Sequence, residues 1–287
     1  MKKRFITQED LKSYKLFLKS GEMSRATIEK YVRDVKKLVA FSDGRELSKE
    51  LMVDFKIYLR ECGKYKMTSI NSFIDTVNRY LEYKEWYDLR IKSYPVQKQS
   101  FQEEERHMSR KEYKQLLKEA LELGKLRLYY ILICLCSTGI RVSELQFVTA
   151  ESVRSGIAVI YNKGKVRKVI LTKDLCRQLR KYTEKEGITS GPVFISRYGN
   201  PLDRSNIWKE MKKLAGEAKV ALSRVFPHNF RKLFASCLYE QEKDIVKVAE
   251  VLGHSRLDTT RIYIRGTESK FRNILDRLGL VIEPLPE

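Results

Sequence analysis

Long apolar runs are missing from this 287-residue chain. The longest, Leu128 to Cys136, falls far short of the roughly 20 residues that a membrane-spanning helix needs. Behind the basic start Met1-Lys2-Lys3-Arg4 there is neither an apolar stretch nor a leader cleavage site, so the chain reads as cytoplasmic, with no membrane partner. The five cysteines, at 62, 134, 136, 176 and 237, are odd in number and contain no Cys-x-x-Cys pair. That excludes a disulfide framework or a zinc site of the usual spacing. Four of them lie on apolar stretches, where a reduced cysteine is simply a small core residue. No nucleotide-binding glycine loop, carboxylate pair, metal cluster, internal repeat or low-complexity tract occurs, so no metal or cofactor is expected. Histidine is scarce, with three in all.

What is abundant is positive charge. Fifty-seven Lys and Arg against 37 Asp and Glu leave a net charge of +20, which calls for an anionic partner. DNA phosphates are the natural candidate, because each neutralised phosphate releases a condensed counterion. RNA-binding, ribosomal and membrane-surface proteins share such a balance, so charge alone does not choose among them. Hydrophobic content of 43% with 33% charged residues describes a globular chain rather than a disordered one.

The pattern divides the chain. Residues 1–91 read as four short amphipathic helices in a bundle. Between Ser24 and Phe41, Ile28, Tyr31, Val32, Val35, Leu38 and Val39 recur at helical spacing, with Lys30, Arg33, Lys36 and Lys37 largely opposite. A third helix follows Ser48, burying Leu51, Phe55 and Tyr58 or Leu59; a fourth follows Thr68, burying Ile70, Phe73, Ile74, Val77 and Leu81. Residues 92–107 hold Pro95 and the acidic run Glu103 to Glu105 and read as a linker.

A second domain, 108–287, opens with a capping box, Ser109 to Glu112, and a helix with Tyr113, Leu116, Leu117, Ala120 and Leu121 inward. It is helical apart from a hairpin, 157–161 and 166–171 around Asn162-Lys163-Gly164-Lys165, with Val193-Phe194-Ile195 as a further short strand. Helices are expected over 203–219, 227–239, 244–252, 258–264 and 267–279. The fold class is mainly α with a small β-hairpin (α+β).

In this second half stands an ordered set of reactive residues. Arg141 and Glu144 lie in Thr138-Gly139-Ile140-Arg141-Val142-Ser143-Glu144, and Lys163 in Asn162-Lys163-Gly164. His228 and Arg231 lie in Pro227-His228-Asn229-Phe230-Arg231, His254 in Leu252-Gly253-His254, and Tyr263 in Thr259-Thr260-Arg261-Ile262-Tyr263. Transfer of a phosphodiester to a side chain needs a nucleophile, donors for the phosphoryl oxygens, an acid for the leaving oxygen and a base. A phenol ionises near pH 10, so a tyrosine nucleophile needs a base or positive surroundings. Guanidinium forks match phosphate oxygens, which suits Arg141 and Arg231 as a clamp. Glu144, three residues on, can orient Arg141. Pro227 opens a helix that sets His228 and Arg231 on one face, and Gly253 suits a helix C-cap. Each residue has a plain structural alternative: a surface ion pair, an exposed histidine, a solvated turn lysine or a core aromatic.

Taken together and in order, these motifs resemble the tyrosine recombinase (phage integrase, Xer-like) family. The resemblance implies an N-terminal core-binding, SAM-like domain that clamps DNA and a C-terminal catalytic domain. It implies that Tyr263 attacks to give a 3′-phosphotyrosyl bond, with Arg141 and Arg231 as clamp. His228 would then act as base or hydrogen-bonding group, His254 as donor to the phosphoryl oxygen, Lys163 as acid for the 5′-oxygen and Glu144 as support. The covalent link conserves bond energy, so no ATP is needed. The family loop reads Gly-Lys-Gly-x-Lys-x-Arg; here Asn162 replaces the first glycine and the loop is one residue shorter, which keeps Lys165 in reserve for the acid role.

The partners implied are double-stranded DNA with paired recombination sites and a homotetramer passing through a Holliday junction; the tail after Thr267, with Phe271, Ile274, Leu275 and Leu278 at helical spacing, reads as an oligomerisation helix packing on a neighbouring protomer, with packing in cis as the alternative. Integration or excision, inversion and dimer resolution all use this layout, and the departures at the hairpin lean toward a mobile-element or inversion enzyme. The DNA site and any accessory protein are not readable. A type IB topoisomerase is a competing reading, disfavoured because those enzymes carry Lys where His228 stands. A non-catalytic architectural DNA-binding protein is another, disfavoured by the full residue set.

Overall fold

The computed structural model describes residues 3–96, 107–162, 164–196 and 198–264. The chain separates into two compact units, Met1–Lys98 and Gln99–Glu287.

The first unit holds helices α1 (Gln8–Ser20), α2 (Arg25–Ser42), α3 (Lys49–Glu61) and α4 (Met67–Tyr83). Thr7, Ser24 and Ser48 start the first three by accepting a hydrogen bond from the backbone N–H three residues on, which satisfies a donor the helix cannot. No side chain caps α4, which begins at Met67, one residue before Thr68. The apolar stripes meet in a core of Leu38, Met52, Phe55, Ile74, Val77 and Leu81. Not all the cations opposite the α2 stripe face water. Lys30 folds back on buried Asp34 at 2.7 Å, and Lys37 donates to the Tyr65 hydroxyl at 2.6 Å, leaving Arg33 and Lys36 exposed. Two side-chain amides on α4 then hold the outgoing chain. Asn78 exchanges hydrogen bonds with the backbone of Ile91, and Asn71 with that of Tyr94. The first residues of the segment read as a linker are therefore tied to the bundle.

The second unit runs α5 (Arg110–Glu122), α6 (Leu126–Thr138), a 3-10 turn (Val142–Phe147), α7 (Ala150–Ser155), β1 (Ile157–Asn162), β2 (Lys165–Ile170) and α8 (Lys173–Lys185). After these come α9 (Arg204–Glu217), α10 (Pro227–Glu242), α11 (Ile245–Leu252) and α12 (Leu257–Ile264). The expected capping box between Ser109 and Glu112 is present in both directions. Leu116 and Ala120 are buried below it, whereas Leu121, expected inward, is 47% exposed on the far side of the helix. The hairpin is antiparallel, with Ile157 opposite Ile170 and Asn162 opposite Lys165. Residues 193–195 form no strand. The backbone there makes only isolated bridges, Thr149 to Pro192 and Ile195 to Pro201, and a proline has no N–H with which to extend a ladder. Val193 and Phe194 are instead buried in the core. The expected helix at 267–279, and with it the proposed oligomerisation tail, lies outside the described residues.

The apolar helix α6 is the centre of this unit and packs against α10, which also touches α11 and α12. It ends at Gly139, in the left-handed region at φ +64°. A Cβ at this position would lie 2.4 Å from Phe234 Cδ1 and 2.9 Å from Leu252 Cδ2. Gly139→Ala is therefore expected to cost about 3 kcal/mol, from left-handed strain plus overpacking. A urea midpoint equal to that of the wild type would show that α6 and α10 can part without loss. No helix among the described residues is long and apolar enough to cross a membrane.

Candidate active site

Arg231 anchors the site. It stands one turn into α10, and although charged it is only 1% exposed. Its guanidinium donates through Nη1 to the carbonyl of Gly139 at the end of α6. Through Nη2 it donates to the carbonyl of Leu252 at 2.7 Å and reaches His254 Nε2 at 2.8 Å. Two helix C-termini, each with orphan carbonyls, thus converge on one cation, as the helix dipole favours. The Nε of Arg231 is also buried and has no hydrogen-bond partner. Burial and the charge of Arg141 pull Arg231 down to about 10, with Tyr263 acting the other way, so it remains cationic at neutral pH.

His254 follows Gly253, the left-handed C-cap of α11 at φ +67°. The expected turn is present, and it carries His254 to Arg231. With Nε2 accepting from Arg231, the proton sits on Nδ1 and is given to Thr260 Oγ1 at 2.8 Å. Tyr263, on α12, is 4% exposed, and its ring lies 5.0 Å from that of His228 and 5.3 Å from that of His254. Its backbone carbonyl accepts from Ser236 on α10 at 3.0 Å, fixing α12 beside the two histidines. His228 opens α10 behind Pro227 and keeps an exposed edge, whereas Arg231 on the next turn is buried.

Arg141 enters by a different route. Just past Gly139 it caps the 3-10 turn, where its N–H donates to Glu144 Oε2 at 2.8 Å and its Nη1 to Glu144 Oε1 at 3.0 Å. Glu144 is buried and also accepts from Arg167 Nη2 at 2.6 Å. Burial alone would raise this carboxyl, but the Arg141 N–H, the Arg167 charge and the Arg141 guanidinium hold it below the usual carboxylate range. The Arg141 side chain stays 41% exposed and lines an open groove of about 640 Å³ with Glu144, Lys165, Arg167, His254 and Ser255. Lys163 lies outside the described residues. Its reserve, Lys165, is exposed and donates to Ser255 Oγ at 2.7 Å, joining the hairpin to the turn that bears His254.

Two residues here are not among the sequence candidates. Thr260 holds the Nδ1 side of the His254 ring opposite Arg231. Arg167, on the inward-facing side of β2, donates to Glu144 and to the carbonyls of Val251 and Leu252, at 3.3 and 3.0 Å. A Cβ on Gly253 would come within 2.5 Å of Arg167 Cδ, so this glycine is required by close approach as well as by its backbone angle.

Both site histidines resist protonation. Burial, then Lys232, Arg231 and Arg141, take His228 down to about 4; burial, then Arg231, Arg141 and Arg167, take His254 to about 4. An unfolded histidine takes up its proton near pH 6.5. Between these values the unfolded chain binds more protons than the folded one, so stability rises with pH across the window and is lost on acidification. On going from about pH 7 to about pH 5, the urea midpoint is expected to fall further in wild type than in a His228→Gln, His254→Gln double variant. Equal falls would assign the acid sensitivity to other groups.

Residues 106–270 match the model of the phage integrase family. Tyrosine recombinase XerD of Staphylococcus saprophyticus is 28% identical over 273 residues, spanning 88% of this chain and 92% of its own. Among solved structures, XerH site-specific recombinase bound to palindromic difH substrate, a post-cleavage complex, superposes with a TM-score of 0.72 at 18% identity, over 88% of this chain and 79% of that one. A lambda integrase tetramer bound to a Holliday junction gives 0.71 at 17% identity, over 91% and 78%. These two likenesses establish the shared two-domain, mainly helical fold. With the family model spanning more than half of its residues, this chain belongs to the phage integrase family, as an Xer-like tyrosine recombinase.

Proposed function

We propose that this tyrosine recombinase cuts and rejoins duplex DNA at a specific site through the cluster around Tyr263. The observation that carries the assignment is the buried Arg231 guanidinium, bonded to His254, with Tyr263 packed against His254 and His228. The Tyr263 oxygen attacks the scissile phosphorus, a Tyr–O–P bond forms and the P–O5′ bond breaks. The phenolic proton passes to His228, which is neutral at pH 7 and has a free lone pair to take it. Arg141, exposed in the groove, and Arg231 neutralise the phosphoryl oxygens as charge builds. Arg231 Nε, a buried donor without an acceptor, is the kind of group that an anion satisfies. His254 donates to the phosphoryl oxygen when the phosphate draws Arg231 Nη2 off Nε2 and the ring, exchanging its proton with solvent, takes the Nε2–H tautomer, with Nδ1 then accepting from the Thr260 hydroxyl. Lys163, with Lys165 in reserve, protonates the leaving 5′-oxygen. The reverse steps, with a 5′-hydroxyl from another strand, complete the exchange.

The four-helix unit grips DNA through cations such as Arg33 and Lys36, and four protomers act together at paired sites through a Holliday junction. The net charge of +20 supports the DNA partner, and a lambda integrase tetramer on a Holliday junction with the same fold supports the assembly.

The test is covalent trapping. The protein is incubated with nicked duplexes from the flanks of its gene, and any adduct is digested and mapped by mass spectrometry. A nucleotide on the peptide containing Tyr263 is the expected result. Linkage to another residue, or salt-sensitive binding without any adduct, would overturn the assignment.

A further inference from the structure

The groove at the catalytic cluster is not the only one rich in cations. A second, of about 670 Å³, lies between the end of α7 and the outer face of α8 and shares no lining residue with the first. Arg154, Lys173, Arg177, Arg180 and Lys181 line it against a single carboxylate, Glu184, with Leu171 and Cys176 as its buried apolar floor. The helix pattern explains the arrangement. Leu175, Cys176, Leu179, Tyr182 and Thr183 face the core, which leaves Lys173, Arg177, Arg180 and Lys181 on the opposite, solvent side.

Local pairing does not use up this charge. Arg177 meets Asp174 at 2.6 Å, but both are about 70% exposed, where an ion pair contributes little. Arg154 reaches Glu151 only at 3.6 Å. Lys173 and Lys181 have no ion-pair partner among the described residues. Arg180 instead donates to the backbone carbonyl of Arg154 at 3.3 Å, which fastens α8 to α7.

We infer that this face is a second DNA contact, for a stretch of phosphate backbone that lies outside the catalytic groove. The cations from Lys173 to Lys181 are spread over about 12 Å of helix, the span of roughly three phosphates of one strand rather than of one small anion. Long, exposed side chains that are unpaired or paired only at the surface suit sequence-independent backbone contact. The groove opens where β2 ends, about 17 Å along the strand from Lys165, so a phosphate held there is not the one facing Tyr263. The inference rests on the DNA-binding reading above but not on the assigned chemistry.

Three proteins decide it: wild type, a Lys173→Gln, Arg177→Gln, Lys181→Gln variant that keeps Arg180, and a control of equal charge, Lys209→Gln, Lys213→Gln, Lys219→Gln. Binding of a random-sequence duplex is measured against salt concentration for each. The slope of log K against log salt is expected to fall by about 2.7 in the α8 variant, at about 0.9 per lost phosphate contact, and by less than about 1 in the control. Equal slopes in all three proteins, or equal falls in both variants, would overturn the inference. Adduct formation on the nicked duplexes is run in parallel at protein concentrations that saturate the DNA for each variant, where the yield per bound duplex is expected to be unchanged in the α8 variant. Absence of any adduct from all three proteins would count against the Tyr263 chemistry, while the slopes would still decide the groove.

Discussion

Replacing Tyr263 by Phe is expected to lower DNA cleavage by at least about 10⁴-fold while leaving the fold intact. The two effects separate because of where the ring lies. Tyr263 is 4% exposed and packs with Ala235, Val248 and Leu252, so the apolar contacts depend on the ring, which Phe preserves. The hydroxyl adds the proposed nucleophile and little else; its removal should change stability by no more than about 1 kcal/mol. Single-turnover cleavage of a nicked duplex and a urea titration of the same preparation measure both. Retained cleavage would place the nucleophile elsewhere. A large loss of stability would give the hydroxyl a structural role instead.

Arg231→Lys should do both kinds of damage. The guanidinium serves three acceptors at once, the carbonyls of Gly139 and Leu252 and the Nε2 of His254. An ammonium is a point donor on a flexible stem and cannot reproduce that planar fork. At least one buried carbonyl then loses its partner, at about 1–3 kcal/mol, and the ends of α6 and α11 lose their common anchor. Cleavage should fall by about 10³-fold, since a preorganised donor to the phosphoryl oxygens is displaced. Arg141→Lys supplies the contrast. That side chain is 41% exposed and, among the described residues, held only by Glu144, so cleavage should drop with little change in urea midpoint. If Arg231→Lys proved less stable yet cleaved at the wild-type rate, Arg231 would be a structural arginine and the clamp reading would fail.

Much of this fold can be read from local signals. Ser24, Ser48 and Ser109 mark helix starts, Pro227 opens α10, and Gly139 and Gly253 end α6 and α11, because caps depend on a few adjacent residues. What escapes is set at a distance. Helix α8 is not among the expected elements: seven of its thirteen residues are charged, and they mask the periodic run of Leu175, Leu179 and Tyr182. The stretch 193–195 has strand composition, but it is flanked by Pro192 and its one bridge, from Ile195, is to Pro201, neither of which can extend a ladder. At the candidate site, the order of the motifs brought Arg141, His228, Arg231, His254 and Tyr263 to attention, and the fold draws them into one region. Arg167 and Thr260 could not be found that way. Their partners, Glu144 and His254, lie 23 and 6 residues away, and no spacing rule links a strand residue to the end of a remote helix.

The contact between Arg167 and Gly253 also bears on how this protein can be altered. No residue with a Cβ fits at 253 while the Arg167 side chain crosses it, and a shorter residue at 167 would take one donor from Glu144 and from the carbonyls of Val251 and Leu252 as it made room. The two positions are epistatic, and the dependence extends to Glu144 and Arg141. Single-site libraries at any of the four would return almost only inactive clones. A variant hairpin grafted in its place will keep these contacts only if it carries an arginine in register with 167 or arrives with a rebuilt helix end. The practical unit of evolution here is the quartet, not the residue.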